Sequence, residues 1–305
     1  MWEFIQPVLA FKNPVAFAVP IFALLIAIEA YLNYKERADN YLLPDAVASI
    51  SMGLGSVIID LLTKSIALAS FWLIYNHYGI WKEALSYTVL GWVLLFFLDD
   101  FTFYWHHRFS HQIRVLWAAH VNHHSSQHYN LSTALRQSWA ELFYKYIWYI
   151  WLPFLGFHPI MILTQLSISL IYQFWIHTKY IQRFPRWFEF IFNTPSHHRV
   201  HHAKNIIYLD RNHAGILIIW DRMFGTFMEE DPNEPVIYGI TTNIDTYNPL
   251  RIASHEFINL GKDIRKAPSL MDKLKYIFLP PGWSHDGSTA TADEMRAEWE
   301  KQQSS

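Results

Sequence analysis

Eight histidines in three tight clusters constrain this chain more than any other feature: His107-x3-His111, His120-x2-His123-His124 and His198-x2-His201-His202. Residues three and four apart share a helix face, so each cluster aims two or three imidazoles at one point. Neutral imidazole is the commonest metal-ligating side chain and suits iron, zinc and copper. Eight imidazoles are too many for one tetrahedral ion. Two metal ions are the simplest reading of the spacing.

Composition places those clusters in an apolar setting. Of the 305 residues, 52% are hydrophobic, 17% aromatic and only 16% charged, against roughly 25% charged in soluble domains. The mean hydropathy is +0.06, so a large polar portion sits beside the apolar one. The 14 Trp, 17 Tyr and 22 Phe are material for aromatic belts at a membrane interface. A formal net charge of −2 gives no support to nucleic-acid binding. The chain holds no cysteine, which excludes disulfides, thiolate metal sites and cysteine nucleophiles. The N-terminus lacks a basic region followed by a cleavable small-residue site, so no secretory signal is expected and the first apolar segment should remain as an anchor.

A bilayer-spanning helix needs about 20 mostly apolar residues. Residues 14–30 form one candidate. Residues 47–75 form a second, either one tilted span or a broken pair, with Asp60 and Lys64 placed to pair four apart. Residues 85–98 form a third, running into Asp99 and Asp100. Residues 139–157 and 160–176 are expected as a helical hairpin, broken at Gly156 and Pro159. Beyond about Lys179 nothing is long enough to span. The expectation is an all-α integral membrane bundle of about four to five membrane segments, with a histidine-rich helical cap on the cytoplasmic side. It is read as one domain over residues 1–305, with a core at about 40–245 and a polar, frayed tail from Ser284 to Ser305 that holds at most a short helix over 293–302.

This layout has a chemical consequence. The first two clusters follow the third span, and a hairpin that crosses twice returns the chain to the same side. All eight imidazoles then meet at one membrane face. Lys35, Arg37, Arg108, Arg114, Lys179, Arg183 and Arg186 fall on that side and Lys82 on the other, which makes the metal-bearing face cytoplasmic by the positive-inside rule. The membrane would be a bacterial inner membrane or the endoplasmic reticulum.

A helix leaving the membrane puts His107 and His111 on one face, with Asp100 two turns back and placed to accept a ligand's second ring N–H. His106 and His197 lie off the ligand faces and read either as supporting the ligands from behind or as surface residues. His177, at the end of the hairpin, is either a ninth ligand or an interfacial histidine. His128 lies outside the repeated spacing. His77, His158, His213, His255 and His285 are expected to be structural or solvent-facing. Asn130, Arg136 and Gln137 either bind a polar head group or a pterin ring, or belong to a helix start capped by Ser132 or Thr133. Asp221 and Arg222 read as a local ion pair, with Asp221 alternatively orienting a ligand.

An all-imidazole pair without a bridging carboxylate favours redox iron over hydrolytic zinc, and the Glu plus Glu-x-x-His pattern of soluble di-iron bundles is missing. The chain lacks a Gly-x-Ser-x-Gly elbow, a phosphate loop, a dinucleotide glycine fingerprint and a His-Glu-x-x-His motif. Any reductant is therefore external. A non-catalytic metal-binding membrane protein is the alternative from another class, although a carrier places its ligands at the bilayer midplane and these follow span ends.

At Tyr104–His111, Leu116–Ser126, Tyr129–Ser138, Gln173–Thr178, Asn193–His202 and Ile219–Phe227 the sequence resembles the fatty acid hydroxylase and sterol desaturase superfamily of membrane di-iron enzymes. Tyr129–Ser138 points to the branch that cleaves ether lipids. The resemblance, over roughly residues 40–245, implies two iron ions on His107, His111, His120, His123, His124, His198, His201 and His202, with His177 as a further candidate. It implies a monooxygenase that uses O2 to hydroxylate the ether-adjacent carbon of a membrane alkylglycerol, giving aldehyde and glycerol. Tetrahydrobiopterin would be the electron donor, although Gln112 stands where the animal members carry an acidic residue. Hydroxylation or desaturation of a fatty acyl chain or sterol is the near alternative.

Overall fold

The computed structural model describes residues 13–303. The expectation for the extreme N-terminus falls on residues 1–12, and the end of the tail on Ser304 and Ser305; both lie outside the described residues.

Asn13 opens the first helix, α1 (Pro14–Glu36): its side chain accepts the Val15 N–H, and Pro14 fills the first turn, where a missing N–H is harmless. The second, α2 (Leu43–Tyr78), is one unbroken helix of 36 residues, roughly 54 Å long at 1.5 Å per residue. Ser49, Ser51, Ser65 and Ser70 return their hydroxyls to carbonyls one turn back, which keeps them satisfied in apolar surroundings. Lys64 and Asp60 pair at 2.7 Å, as their spacing predicts. After a single helical turn (Lys82–Leu85) comes α3 (Val89–Gln112), capped by Thr88, which carries the third apolar stretch straight on into the first histidine cluster. Ile113 alone separates it from α4 (Arg114–His124).

The first arm of the expected hairpin is not a spanning helix. Residues 139–157 form two 3-10 turns, Glu141–Phe143 and Lys145–Tyr149, and the short α5 (Trp151–Leu155). Polar side chains in this arm turn inward and break the helical path: Tyr146 donates to Asp60 at 2.7 Å and Lys145 lies 3.2 Å from the same carboxylate. A 3-10 segment rises about 2.0 Å per residue, so a short arm still covers a long distance. It runs from Trp139, whose indole bonds Met52 O, to Phe154, whose carbonyl accepts the Ile80 N–H. Gly156, at φ 109°, makes the turn into α6 (Pro159–Trp175), a conformation that L side chains resist.

Contacts along these segments give the direction of each. α2 starts where Asp45 meets Ser126 and Arg136, and ends beside Phe154 and Leu155. α3 and α6 both begin at that far end, where Tyr87 bonds His158 at 2.9 Å, and both run back toward the histidines. α1 runs parallel to α6: Asn13 meets Ser167, Phe22 stacks on Phe174, and Glu29 meets Thr178. The bundle core is Phe71, Leu95, Leu152, Phe157, Met161 and Ile162, all buried. Its outer face is apolar as well, with Ile58 at 74% and Val89 at 82% exposure. Among the described residues, α1 and α2 are long and apolar enough to cross a membrane, and α6 is a shorter apolar helix.

The remainder is helical too: α7 (Arg186–Ile191), α8 (Pro195–His201), α9 (Ile219–Phe224), α10 (Pro249–Lys266), α11 (Leu270–Phe278) and α12 (Ala292–Gln303). The described residues contain no strand, only isolated bridges at Phe192–Leu217 and Ala203–Tyr238. The tail is more ordered than its composition suggests. Arg296 of α12 donates to Leu209 O at 2.5 Å and holds the helix on the turn Ile206–Tyr208.

Arg136, 1% exposed, bonds the Asp45 carboxylate and the Ser49 and Ser125 hydroxyls. Removing one partner of a buried pair costs about 3–5 kcal/mol because the other charge stays buried. Asp45→Ala is therefore expected to lower the thermal unfolding midpoint in detergent strongly; an unchanged midpoint would show that the pair adds no net stability.

Candidate metal centre

Four segments deliver imidazoles to one end of the bundle. α3 brings His107 and His111, α4 brings His120, His123 and His124, the end of α6 leads into His177, and α8 brings His198 and His201 with His202 as its cap. Their nitrogens form two groups, within each of which the candidate ligand atoms lie within 4.8 Å of one another: His107, His111, His120, His124 and His201; and His123, His177, His198 and His202. Each His-x2-His-His cluster is thus split between the groups. Adjacent residues point about 100° apart on a helix, so a His-His pair reaches two neighbouring points. The groups adjoin, with ring centroids of His124 and His202 4.4 Å apart. His177 belongs to the second group, its Nε2 3.2 Å from that of His123 and 3.0 Å from that of His198.

The outward nitrogens decide what the inward ones can do. Nδ1–H donates to His213 O from His107 at 2.7 Å, to Arg211 O from His201 at 2.9 Å and to Gln173 O from His177 at 2.7 Å. His123 donates to Arg136 O at 3.3 Å, His111 to the Asp210 carboxylate at 3.1 Å, and His120 to Glu141 at 3.3 Å. A carbonyl, and a carboxylate when ionised, only accepts, so a ring held in this way presents an unprotonated Nε2 inward. His111 and His201 Nε2 are buried with no hydrogen-bond partner. His107 and His120 Nε2 lie 3.0 Å apart, and His124 and His120 Nε2 3.2 Å, close to the separation of neighbouring ligands held at about 2.1 Å from one ion. Burial first, then neighbouring imidazoles, push His124, His198, His201 and His202 well below the ordinary histidine pKa, so they are neutral at pH 7, as a ligand must be. The donor set fits a pair of transition-metal ions, and five imidazoles in one group exceed what tetrahedral zinc takes up.

Several supporting residues stand elsewhere than expected. Asp100 does not meet a ligand ring: it accepts the backbone N–H groups of Ile216 and Leu217 and the Trp220 indole N–H. Asp221 accepts the His213 and Ala214 N–H groups and the Thr226 hydroxyl, rather than pairing with Arg222, which reaches the carbonyls of Phe190 and Glu189. Both carboxylates shape the loop that offers its His213 and Arg211 carbonyls to His107 and His201. Gly215 is required there, since a Cβ would lie 2.8 Å from the Phe103 ring. Asn130, not Ser132 or Thr133, caps the 3-10 turn Leu131–Leu135. Arg136 is sealed in the interior and unavailable to a head group, and Gln137 bonds Ala134 O.

Three residues that sequence reasoning passed over belong to the site. Glu141 holds His120 and lies 3.7 Å from the buried His106, which is neither surface nor ligand. A carboxylate opening an apolar stretch was the signal. Asp210 holds His111, eight residues beyond His202. His213, expected to be structural or solvent-facing, is fully buried, with its ring 5.0 Å from that of His111 and its Nδ1 without a partner. His197, also buried, faces Phe227.

The fatty acid hydroxylase family profile matches residues 92–226, which include all nine rings. The chain is 40% identical to alkylglycerol monooxygenase of Homo sapiens over 268 residues, 87% of this chain and 59% of that protein. It is 39% identical to alkylglycerol monooxygenase of Danio rerio, over 88% of this chain and 59% of that one. It is 28% identical to ornithine lipid hydroxylase OlsE of Rhizobium tropici, over 54% and 48% respectively. The chain therefore spans 59% of the length of the first two relatives. No solved structure matches it.

Glu141→Gln removes the charged acceptor for His120 and is expected to weaken metal affinity about 10–100-fold, read by competition with a chelator; unchanged affinity would remove Glu141 from the site. His213→Ala is expected to lower metal retention severalfold while His285→Ala, on an exposed ring bonded to Tyr276, leaves it intact. Equal behaviour of the two would reduce His213 to packing.

Proposed function

We propose that this protein, whose residues 92–226 match the fatty acid hydroxylase family profile, is a membrane di-iron monooxygenase acting on a lipid, and that its substrate is an alkylglycerol. What carries the reading is the convergence of nine histidines as two groups of neutral ligands at one end of an apolar bundle. His107, His111, His120, His124 and His201 would hold one iron, and His123, His177, His198 and His202 the other. Iron supplies dioxygen activation, which no side chain here can perform. O2, two electrons and two protons give a hydroxyl on the ether-adjacent carbon and one water. The resulting hemiacetal breaks its C–O bond to release aldehyde and glycerol.

The chain's own residues bind, orient and exclude water. Carbonyls and carboxylates lock six of the rings through Nδ1. Eight of the nine rings are buried and His123 is half-buried, so reactants approach on its side. A polar cleft lined by Ser125, Gln127, His128, Asp245 and Tyr247 opens just beyond the end of α4, a few residues past His123. It suits a polar reductant such as tetrahydrobiopterin better than a lipid tail. A long alkyl chain is accommodated by the apolar exterior of the bundle, where it partitions with the bilayer.

In this reading α1, α2, α3, α6 and the irregular arm 139–157 are the membrane segments, and the histidine-bearing cap faces the cytoplasm. Lys35, Arg37, Lys179, Arg183 and Arg186 gather at that end and Lys82 at the other, which supports the orientation. Hydroxylation of a different lipid is the second reading, favoured by the similarity to an ornithine lipid hydroxylase.

The test is to incubate iron-loaded protein with an alkylglycerol, a free fatty acid and a sterol under oxygen, with tetrahydrobiopterin as reductant, after measuring iron per chain. Two irons and aldehyde release from the ether lipid are expected. Product from another lipid alone would reject ether cleavage, and absence of bound iron would reject the oxygenase.

A further inference from the structure

We propose that the exposed face of α11 is an in-plane membrane anchor that rests on a lipid surface carrying anionic head groups. α11 has nine residues, and four of its large apolar side chains are exposed: Leu270 at 74%, Met271 at 61%, Leu274 at 42% and Phe278 at 59%. At about 100° per residue these four, with the half-buried Ile277, fill a single sector of roughly 120°. Lys275 borders that sector on one side and Lys273 on the other. Tyr276, on the opposite face, is buried and packs with Leu260, Ala267 and Trp283. The helix therefore offers water an apolar stripe edged by two lysines, while its other face is glued to the protein.

That orientation is fixed. The Arg114 N–H donates to Leu279 O at 3.1 Å, and the Arg114 guanidinium pairs with Glu256 and Asp263 of α10. The α10–α11 hairpin is thereby clamped to the junction where α3 hands over to α4, at the histidine end of the bundle. The other end of α10 lies against the lipid-facing helix α2: Ile252 packs on Ala48 and Met52, and Leu250 is exposed beside it. Leu250 and Ile258 are the exposed large apolar side chains of α10 between the exterior of the bundle and the stripe on α11.

Charge selects the occupant. Between Lys262 and Phe278 there are five basic and two acidic side chains, and the acids are engaged: Asp263 by Arg114, and Asp272 by the Ser269 hydroxyl and by Lys275 at 3.8 Å, which leaves Lys262, Arg265, Lys266 and Lys273 as the excess positive charge. Lysines that flank an apolar stripe lay their stems along it and lift their ammonium groups to head-group level. Protein–protein interface cores are depleted in lysine, so a bilayer fits this surface better than a second copy or another protein. Anionic lipid adds attraction of about 1 kcal/mol per basic residue near the surface.

This inference rests on the membrane reading above, so its test carries an internal control. The chain has no cysteine, so Leu274→Cys, Asn259→Cys and Ile58→Cys each give one site for a spin label. The full chain is reconstituted in vesicles of phosphatidylcholine with or without phosphatidylserine, and label accessibility to oxygen and to an aqueous nickel chelate is compared. The label at 58 reports on α2: if it is water-exposed, the membrane reading itself fails. With 58 in lipid, the label at 274 is expected to be oxygen-accessible and nickel-shielded, and that at 259, exposed on α10, nickel-accessible. Adding Lys273→Glu and Lys275→Glu is expected to raise nickel access at 274 severalfold in phosphatidylserine vesicles. A label at 274 open to nickel in both lipids overturns the proposal. So does one shielded from both reagents with dipolar coupling between chains, which would mean that a second copy covers the stripe.

Discussion

An imidazole that has given its only N–H to a buried oxygen has nothing left to donate, and the rest of this structure depends on that. Six of the nine rings are fixed in this way. Among them, the Nε2 atoms of His107 and His120 lie 3.0 Å apart and those of His123 and His177 3.2 Å apart, while those of His111 and His201 are buried without a partner. Lone pairs packed together in a dry interior repel and leave acceptors unsatisfied. Cations between them turn both penalties into binding energy. The oxygens that hold Nδ1 therefore do more than orient the rings. For these six rings they remove the alternative of donating a proton to a neighbouring imidazole.

Those oxygens have to be rigid, and several buried polar contacts make them so. Asp100 and Asp221 spend their carboxylates on backbone N–H groups of the loop over 213–217, closing it against α3 and aiming the His213 carbonyl at His107. Glu29, buried in α1, accepts from Tyr41, Thr178 and the Leu131 N–H. It ties the helix to the residue after His177 and to the turn that leads to Arg136. Arg136 is anchored by Asp45 at the head of α2 while its carbonyl receives His123. Each apolar helix of the bundle thus touches the metal centre through a polar residue near its end.

The apolar helices and the convergence of the eight cluster histidines were legible because both are local patterns: apolar runs of fixed length, and rings three or four apart on one face. The same hydropathy count misread residues 139–157, since an irregular chain can be as apolar as a helix. What bent it was the pull of Asp60 and His120, distant in sequence, on Tyr146, Lys145 and Glu141. His177 was visible as a candidate only because the hairpin's end placed it. Asp210 and His213 were not visible, because their roles arise from contacts that span about a hundred residues of chain. Asp100 was the instructive error. Helix periodicity put it under His107, but a carboxylate serves the strongest unsatisfied donors within reach, and those were backbone amides of the returning loop.

The splitting of each His-x2-His-His cluster between two groups bears on how two ions held there would relate. His123 and His124 are consecutive, as are His201 and His202, and in each pair one ring serves each group. One turn of α4 and one turn of α8 therefore set the separation of the two ligand groups, and would set that of two ions held by them without a bridging side chain. A carboxylate-bridged pair can open by shifting one oxygen. Here the spacing is built into backbone helices packed in a buried core, and it can change only if a helix moves. Such a centre suits chemistry that needs two ions at a fixed distance throughout turnover. It also explains why the polar scaffolding around α4 and α8 is so dense for an otherwise apolar chain.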